Sequence, residues 1–251
     1  MNALENKKDK KQTGTGDLKP VLFAFPYAGG TALSYMNWVL PEEIRFVPFD
    51  YRGHGLRSKL EFAESIQEIA EDAAELIVSK LEEGQDFSIF AHSMGGIIAW
   101  YTIRILQEKY GLRPNAYFPS CSAVPSDFPP DTHTFGSDEV VMEYLKNSMR
   151  MPEKTIKNPR FQKLFLPAIL HDFKMIREYR NTDSGEKGSF PIYAFASEED
   201  DLVTPSMAEK WEKMTEGEFS LMKMSGGHFY FEDPERRKEL LDFIAEKLLA
   251  Q

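Results

Sequence analysis

A serine between small residues is the most reactive candidate group in this sequence. Residues 87–96 read Phe-Ser-Ile-Phe-Ala-His-Ser-Met-Gly-Gly, so an apolar run stops at Ala91, and Ser93 is soon followed by two glycines. Apolar residues then recur at helical spacing from Ile97 to Tyr101. A strand, a tight turn and a helix with a serine at the apex predict a nucleophile elbow, which exposes the serine hydroxyl above a sheet. The alternative is a strand-to-helix turn that merely requires small residues.

A serine hydroxyl needs a general base within hydrogen-bond reach before it attacks a carbonyl. The sequence offers five histidines: His54, His92, His133, His171 and His228. The histidine that adjoins the serine should point away from it, and the third and fourth fall in a helical region away from the strand ends. His228 follows two glycines after the last predicted strand and can reach the serine, so it is the favoured base. His54, on another strand-end loop, is the rival.

The base in turn needs a carboxylate that fixes its tautomer and stabilises the imidazolium. Four acidic residues follow the penultimate predicted strand: Glu198, Glu199, Asp200 and Asp201. Such a run is typical of a solvated loop, yet one member is enough to serve the base. The order serine, acid and histidine along the chain is the order that accompanies a nucleophile elbow.

Acyl transfer also requires N–H donors around the oxyanion that forms on the attacked carbonyl. Met94, directly after the serine, supplies one backbone N–H at the start of the following helix. A second donor is expected from the loop Tyr27-Ala28-Gly29-Gly30, which follows the first apolar run and leaves its backbone open to a substrate. A plain glycine turn is the alternative interpretation of this loop.

Short apolar runs alternate with amphipathic stretches along most of the chain. Strands are predicted at residues 20–25, 44–49, 87–90, 116–123, 190–196 and 219–224, and helices at 31–40, 62–81, 94–110, 205–214 and 234–249. This alternation indicates an α/β fold with a mainly parallel central sheet and helices on both faces. Ligands of such sheets bind at the carboxyl ends of the strands, so the loops carrying the candidate residues should converge on one rim.

Residues 125–188 interrupt this alternation. Prolines and two amphipathic stretches, at 140–149 and 161–179, predict an inserted helical lid. From Lys146 to Arg180 the sequence has nine basic residues and three acidic ones. One hypothesis is that these basic residues form a docking surface for an acidic partner, and the alternative is that they belong to ordinary solvated faces. The residues concerned are Arg150, Lys154, Lys157, Arg160, Lys163, Lys174 and Arg177. Candidates for an apolar substrate pocket, unless they are simple core, are Phe161, Leu164, Phe165, Phe173 and Met175.

Composition narrows the class of protein further. The chain has 251 residues, 42% of them hydrophobic, which suits one large domain, here residues 20–251. Its net charge of −10 argues against non-specific nucleic-acid binding. The sequence contains no run of about 18 apolar residues, so no membrane span is expected. A single cysteine, Cys121, expected as a buried strand residue, fits a reducing cytoplasm. Residues 1–19 are polar and lysine-rich, lack the apolar core of a secretory signal, and are predicted to be a disordered tail.

Four motifs together resemble a known family. They are Phe-Pro-Tyr-Ala-Gly-Gly at 25–30, Ala-His-Ser-Met-Gly-Gly at 91–96, the Ser197-x-x-Asp200-x-x-Val203 stretch with Trp211, and Gly-His-Phe at 227–229. In this order, from about residue 21 onward, they look like the type II thioesterases, the editing enzymes of non-ribosomal peptide and polyketide synthases. Two departures are Ala91 in place of the first elbow glycine and Ser197 in place of the glycine before the acid. Because Ser197 departs from the family pattern, the alignment of the acidic residues with that pattern can shift by one position, so Asp201 is the alternative acid.

The resemblance implies an α/β-hydrolase fold with a helical lid and a catalytic triad of Ser93, Asp200 and His228. It makes the Ala28 N–H the second oxyanion donor, in addition to the Met94 N–H, and it makes Tyr27 and Phe229 candidate substrate-binding residues. The implied substrate is an acyl group on the phosphopantetheine arm of an acyl or peptidyl carrier protein. Neither a metal nor an organic cofactor is implied for this chemistry, and a cytoplasmic monomer is expected.

Three other functions use the same residues or the same fold. A carboxylesterase would employ an identical triad on free esters, although the Phe-Pro-Tyr-Ala-Gly-Gly loop speaks against it. An acyltransferase would replace water by an alcohol or amine as the acceptor. A non-catalytic binding protein of this fold usually lacks a triad residue, and none is missing here.

Overall fold

The computed structural model describes residues 18–128, 136–147 and 151–250. Positions 1–17 of the predicted disordered tail at 1–19 therefore lie outside the described residues. His133 and Arg150 also lie outside them. Within the described ranges, no helix is long and apolar enough to cross a lipid bilayer.

A six-stranded sheet forms the centre of the molecule. Its strands are β1 (Val21–Phe25), β2 (Arg45–Pro48), β3 (Phe87–His92), β4 (Tyr117–Ser120), β5 (Ile192–Ser197) and β6 (Phe219–Met224). They lie in the order β2-β1-β3-β4-β5-β6, and every neighbouring pair is parallel. The predicted α/β fold with a parallel central sheet is thus confirmed.

The inner strands read as nearly continuous apolar runs because helices cover both of their faces. Every residue of β1, β3, β4 and β5 is buried. Alternate side chains of β1 enter two different cores: Val21, Phe23 and Phe25 pack on one face and Leu22 and Ala24 on the other.

Helices α1 (Ile66–Lys80) and α2 (Met94–Tyr110) pack on one face of the sheet, and α8 (Pro234–Leu249) packs on the opposite face. The bounds predicted for α2 and α8 match those observed. Gly111, at a φ of 65°, ends α2 because its left-handed backbone suits a helix C-terminus. The helix predicted at 31–40 is instead a 3₁₀ turn at Ala32–Tyr35.

Between β4 and β5 the described residues form four α-helices, which we call the helical segment: α3 (Asp138–Asn147), α4 (Glu153–Ile156), α5 (Pro159–Leu164) and α6 (Leu166–Glu178). The stretch at 161–179 is helical as predicted, but it contains two helices, because the chain turns at Phe165 before α6 begins. Pro167 lies in the first turn of α6, where a residue without an N–H is tolerated. A short helix, α7 (Pro205–Ala208), follows β5 and continues as a 3₁₀ turn to Met214.

Candidate active site

Ser93 occupies a strained turn between β3 and α2. Its φ of 56° and ψ of −124° fall in a region that residues with a side chain rarely adopt. Two backbone hydrogen bonds hold it there: the Ser93 N–H donates to Ser120 O at 2.9 Å, and the Gly96 N–H donates to Ser93 O at 2.9 Å. Strain of this kind is maintained at functional sites, where the surrounding structure fixes the unfavourable conformation.

Small residues around Ser93 are required by close backbone packing. A Cβ atom at Gly95 would lie 2.6 Å from the carbonyl oxygens of both Phe25 and Pro26, at the end of β1. A Cβ atom at Gly96 would overlap the Ser122 hydroxyl. Ala91 is fully buried in β3, so the methyl group that replaces the family's first elbow glycine fits the sheet.

The structure brings Asp200 and His228 together. Asp200 Oδ2 lies 2.7 Å from His228 Nδ1, while Asp200 Oδ1 accepts the N–H groups of Leu202 at 2.8 Å and Val203 at 3.2 Å. Burial alone would raise the pKa of Asp200, but His228 and the two backbone donors outweigh it and hold the pKa below its usual range. Asp200 is therefore a carboxylate, and His228 Nδ1 must be the donor to it.

This arrangement leaves the second ring nitrogen of His228 as a proton acceptor. His228 and Ser93 line one pocket, at the carboxyl ends of β3 and β5. A neutral imidazole whose Nδ1–H is fixed by a carboxylate presents a basic Nε2, which is the form that can take a serine proton.

The other candidate acids and bases lie elsewhere. Asp201 is exposed, and Glu199 accepts the Gly226 N–H at 3.2 Å. His92 is fully buried with its Nδ1 3.0 Å from Ser120 Oγ, and its pKa is lowered well below the usual range by burial and by neighbouring His228. His54, the rival base, pairs with Asp172 and does not line the pocket of Ser93.

Two backbone N–H groups beside Ser93 are available to an oxyanion. In the loop after β1, the Gly29 N–H donates to Asp172 Oδ2 at 2.7 Å and the Gly30 N–H donates to Tyr27 O at 2.8 Å. Across residues 18–128, 136–147 and 151–250, no acceptor is found for the N–H of Ala28 or of Met94. The Met94 N–H also stands at the N-terminus of α2, where the helix dipole favours negative charge.

The pocket beside Ser93 is mainly apolar. Tyr27 and Phe229 form part of its wall, with ring centroids 4.8 Å apart in an edge-to-face contact. The sequence-based candidates in the lining are Tyr27, Ala28, Ser93, Phe173, His228 and Phe229. Lining residues that were not anticipated are Cys121, Ser122, Ala123, Phe128, Tyr144, Ile176, Leu202 and Val203. Three of these residues could have been found from their position in the sequence. Ile176 follows Phe173 by one helical turn, and Leu202 and Val203 lie in the loop that carries Asp200.

Only one of the five proposed pocket residues of the helical segment lines this pocket. Phe173 does so, whereas Leu164 and Phe165 line a surface groove, Phe161 lines a neighbouring cleft, and Met175 lines a depression near the start of α1. The break in the helix accounts for Phe161, Leu164 and Phe165, which precede α6. Met175 lies on α6 two residues after Phe173 and is therefore on a different side of that helix.

Cys121 lies behind the acid and base. It is fully buried just beyond β4 at a φ of 43°, and burial together with the Asp200 carboxylate raises the pKa of its thiol well above the usual value. One donor atom each from Cys121, Asp200 and His228 lie within 4.8 Å of one another. These atoms are engaged with each other, since the thiol and the imidazole both contact the carboxylate.

Comparison with known proteins identifies the family of this chain. The family described as thioesterase domain matches residues 20–248. Thioesterase PikA5 of Streptomyces venezuelae is 28% identical over 230 residues, which cover 91% of this chain and 80% of that protein. The gramicidin S biosynthesis protein GrsT of Aneurinibacillus migulanus is 28% identical over 232 residues, covering 90% and 88%.

A solved structure shows the same fold. The type II thioesterase BorB from the borrelidin biosynthetic cluster superposes with a TM-score of 0.79 at 30% identity, covering 91% of this chain and 92% of that one. The resemblance to type II thioesterases noted in the sequence is thus confirmed. The chain belongs to the thioesterase family, enzymes that hydrolyse thioesters.

Proposed function

We propose that this chain releases acyl groups from the phosphopantetheine arm of carrier proteins through an acyl-enzyme formed on Ser93. The observation that carries the proposal is the 2.7 Å contact between Asp200 and His228 in the pocket of a serine held at an elbow. Two of the relatives are named as a gramicidin S biosynthesis protein and as a type II thioesterase from the borrelidin biosynthetic cluster, and these names support the choice of a carrier-bound substrate.

In the first half of the reaction, His228 Nε2 takes the proton of Ser93 and the serine oxygen attacks the thioester carbonyl. The Ala28 and Met94 N–H groups donate to the oxyanion that forms. When this intermediate collapses, the carbon–sulfur bond breaks, and the leaving thiolate takes the proton from His228. The pantetheine thiol departs, and the acyl group remains as an ester of Ser93.

In the second half, His228 takes a proton from a water molecule that attacks the acyl-serine. The same two N–H groups hold the second oxyanion, and its collapse returns the proton to Ser93 while the free acid leaves. Every step uses groups of this chain and water, so the proposal includes no metal or organic cofactor. We also propose that the protein acts as a monomer in the cytoplasm.

The helical segment is proposed to act as a lid over the acyl group. Phe173 and Ile176 of α6 and Tyr144 of α3 line the same pocket as Ser93. Burying an apolar acyl chain against these side chains contributes about 25 cal/mol per Å² of apolar surface. These side chains come from two separate helices, so the helical segment shapes the pocket. Most of the residues of this segment that were predicted to line the pocket lie outside it.

We infer that the carrier protein docks beside Phe165, where an apolar groove meets a basic cleft. The groove is lined by Leu33, Leu56, Leu164 and Phe165, whose residues are 67%, 96%, 54% and 46% exposed, and it extends to Gly29 of the loop that holds Ala28. Such a group of exposed apolar side chains is typical of an interaction site.

The adjoining cleft supplies the positive charge that an acidic carrier requires. Lys154 and Arg160 line it together with Phe161 and Phe165. Three other basic residues named from the sequence are partly neutralised by ion pairs: Lys157 with Glu153, Lys174 with Glu178 and Arg177 with Asp138. Lys154, Arg160 and Lys163 form no ion pair among the described residues, and the first two line this cleft, so the docking hypothesis narrows to it.

Charge reversal tests the docking site. The variant K154E/R160E should raise KM for an acyl-carrier protein while KM for a small acyl thioester stays unchanged, because only the carrier contacts the cleft. The matched control is K238E, an exposed lysine on α8 at the opposite face of the sheet. Equal losses on both substrates, or an equal effect of K238E, would refute the docking site.

The function itself is tested by the mass of a carrier protein loaded with a short acyl group. Loss of the acyl group should depend on Ser93, be absent in S93A, and proceed much faster than hydrolysis of a nitrophenyl ester with the same acyl group. Faster turnover of the free ester would favour the carboxylesterase, and acyl transfer to an added amine or alcohol in preference to water would favour the acyltransferase. Carrier binding without turnover would favour the non-catalytic protein.

A further inference from the structure

A second histidine–carboxylate pair lies outside the pocket of Ser93. Asp172, on α6 of the helical segment, is fully buried, and His54, on the loop after β2, is 2% exposed. His54 Nε2 lies 3.0 Å from Asp172 Oδ2. The reaction proposed above uses neither residue, and a buried charge of this kind is costly unless it is paired and hydrogen-bonded.

The contacts of His54 show that the pair is charged. Its Nδ1 lies 2.9 Å from the carbonyl oxygen of Arg52, so both ring nitrogens face oxygen acceptors. Only an imidazolium donates from both nitrogens. Burial lowers the pKa of His54 but the Asp172 carboxylate more than compensates, so this pKa is raised. The pKa of Asp172, raised by burial, is brought below its usual range by His171, His54 and the Gly29 N–H.

Asp172 also joins α6 to the loop that carries the candidate oxyanion donor. The oxygen that contacts His54 accepts the Gly29 N–H at 2.7 Å. The backbone of the two elements is in close contact here, because a Cβ atom at Gly29 would overlap Ile169 of α6. Gly29 has a φ of 73°, so a side chain is excluded at this position both by the neighbouring helix and by the backbone conformation.

The two peptide planes on either side of Ala28 are therefore both fixed. The plane between residues 27 and 28, which contains the Ala28 N–H, is held because Tyr27 O accepts the Gly30 N–H at 2.8 Å. The plane between residues 28 and 29 is held because the Gly29 N–H donates to Asp172. With both planes fixed, the Ala28 N–H keeps one direction beside the pocket.

We propose that Asp172 is a positioning residue that fixes the Ala28 oxyanion donor from the helical segment, with His54 as its charge-balancing partner. The proposal rests on the proposed function, because Ala28 acts there as a donor to the oxyanion. A misplacement of about 1 Å in such a group can reduce a rate about a hundredfold. Asp172 acts through Gly29 and touches no reacting atom.

The test measures a reaction that needs the oxyanion hole but no thioester. A fluorophosphonate phosphonylates an activated serine: the Ser93 oxygen would bond to phosphorus as its proton passes to His228, fluoride would leave, and the phosphoryl oxygen would occupy the oxyanion hole. In D172A, we expect the phosphonylation rate and the kcat for a small acyl thioester to fall together by about 10- to 100-fold. KM should stay within about twofold, since ground-state binding is unaffected.

Two variants separate positioning from general anchoring of the helical segment. D172N keeps an oxygen that accepts the Gly29 N–H and should recover most of the lost rate. D183A removes a different contact of the chain that follows the segment, the 2.8 Å hydrogen bond from Trp100 Nε1 to Asp183 Oδ1, and should leave the rate unchanged. If D172A does not fold because His54 is left charged and unpaired, the double variant H54L/D172L removes both charges and should show the same loss of rate.

The outcomes are distinct. Unchanged phosphonylation in D172A or H54L/D172L, or an equal loss in D183A, would overturn the positioning role of Asp172. A wild-type protein that is phosphonylated at Ser93 but does not hydrolyse thioesters would refute the proposed function, while the comparison of variants would still decide the role of Asp172.

Discussion

Replacing Asp200 by asparagine should remove most of the activity while leaving the fold intact. The reason lies in the environment of the carboxylate, where Oδ1 accepts two backbone N–H groups, from Leu202 at 2.8 Å and Val203 at 3.2 Å. In D200N, the amide oxygen must take this position, because an NH₂ group there would face two donors. The NH₂ group then points at His228 Nδ1, which is 2.7 Å away in the native protein.

This orientation forces the wrong tautomer on His228. Its Nδ1 becomes an acceptor, its proton moves to Nε2, and Nε2 can no longer take the proton of Ser93. A substitution that inverts the tautomer of a catalytic histidine costs about 10⁴ in kcat. That factor corresponds to about 5.4 kcal/mol of transition-state stabilisation.

The assay is steady-state hydrolysis of an acyl thioester, with the thermal unfolding midpoint measured in parallel. We expect D200N to lose about 10⁴ in kcat with little change in KM. The matched control is D201N, because Asp201 is the next residue and the alternative acid but is exposed. A loss of less than about tenfold in D200N, or an equal loss in D201N, would refute the reasoning.

Three further predictions concern other parts of the site. G29A should lower both activity and the unfolding midpoint much more than G185A, because both glycines have a positive φ but only Gly29 abuts another helix; equal effects in differential scanning fluorimetry would contradict the close packing. Cys121 should react slowly with iodoacetamide in the folded protein, since burial raises the pKa of its thiol, and labelling as fast as in the unfolded chain would contradict this. The pKa of Asp172 is lowered on folding, so its stabilising contribution is present above about pH 4 and declines as the pH falls through the lowered value; the difference in unfolding midpoint between wild type and D172N should shrink in that direction, and a constant difference down to pH 2 would contradict it.

Local signals in the sequence were sufficient for the elements that carry the nucleophile. The small residues around Ser93 define the turn, and Gly111 marks the end of α2, because each of these positions is constrained by nearby backbone. The inner strands could also be recognised from the sequence, since a strand that is buried on both faces is a continuous apolar run without alternating polar residues. The convergence of loops on one rim then follows from the parallel order of the strands.

Contacts between distant parts of the chain left no comparable signal. Asp172 lies 118 positions after His54 and 143 after Gly29, and on an amphipathic helix an acid of this kind reads as part of the solvated face. In the structure it is fully buried because a loop from each of two strand ends covers it. The break at Phe165 was missed for a related reason: apolar residues continue at helical spacing across it, and tertiary packing decides where one helix ends.

The most direct test of the account is the mass of the protein itself after rapid mixing with an acyl thioester and quenching in acid. We expect a transient increase equal to the acyl group, located on the peptide that contains Ser93, which appears before the free acid and is absent in S93A. Release of the acid by S93A at the wild-type rate, or turnover by the native protein with the acyl group located on another residue, would contradict the acyl-enzyme mechanism.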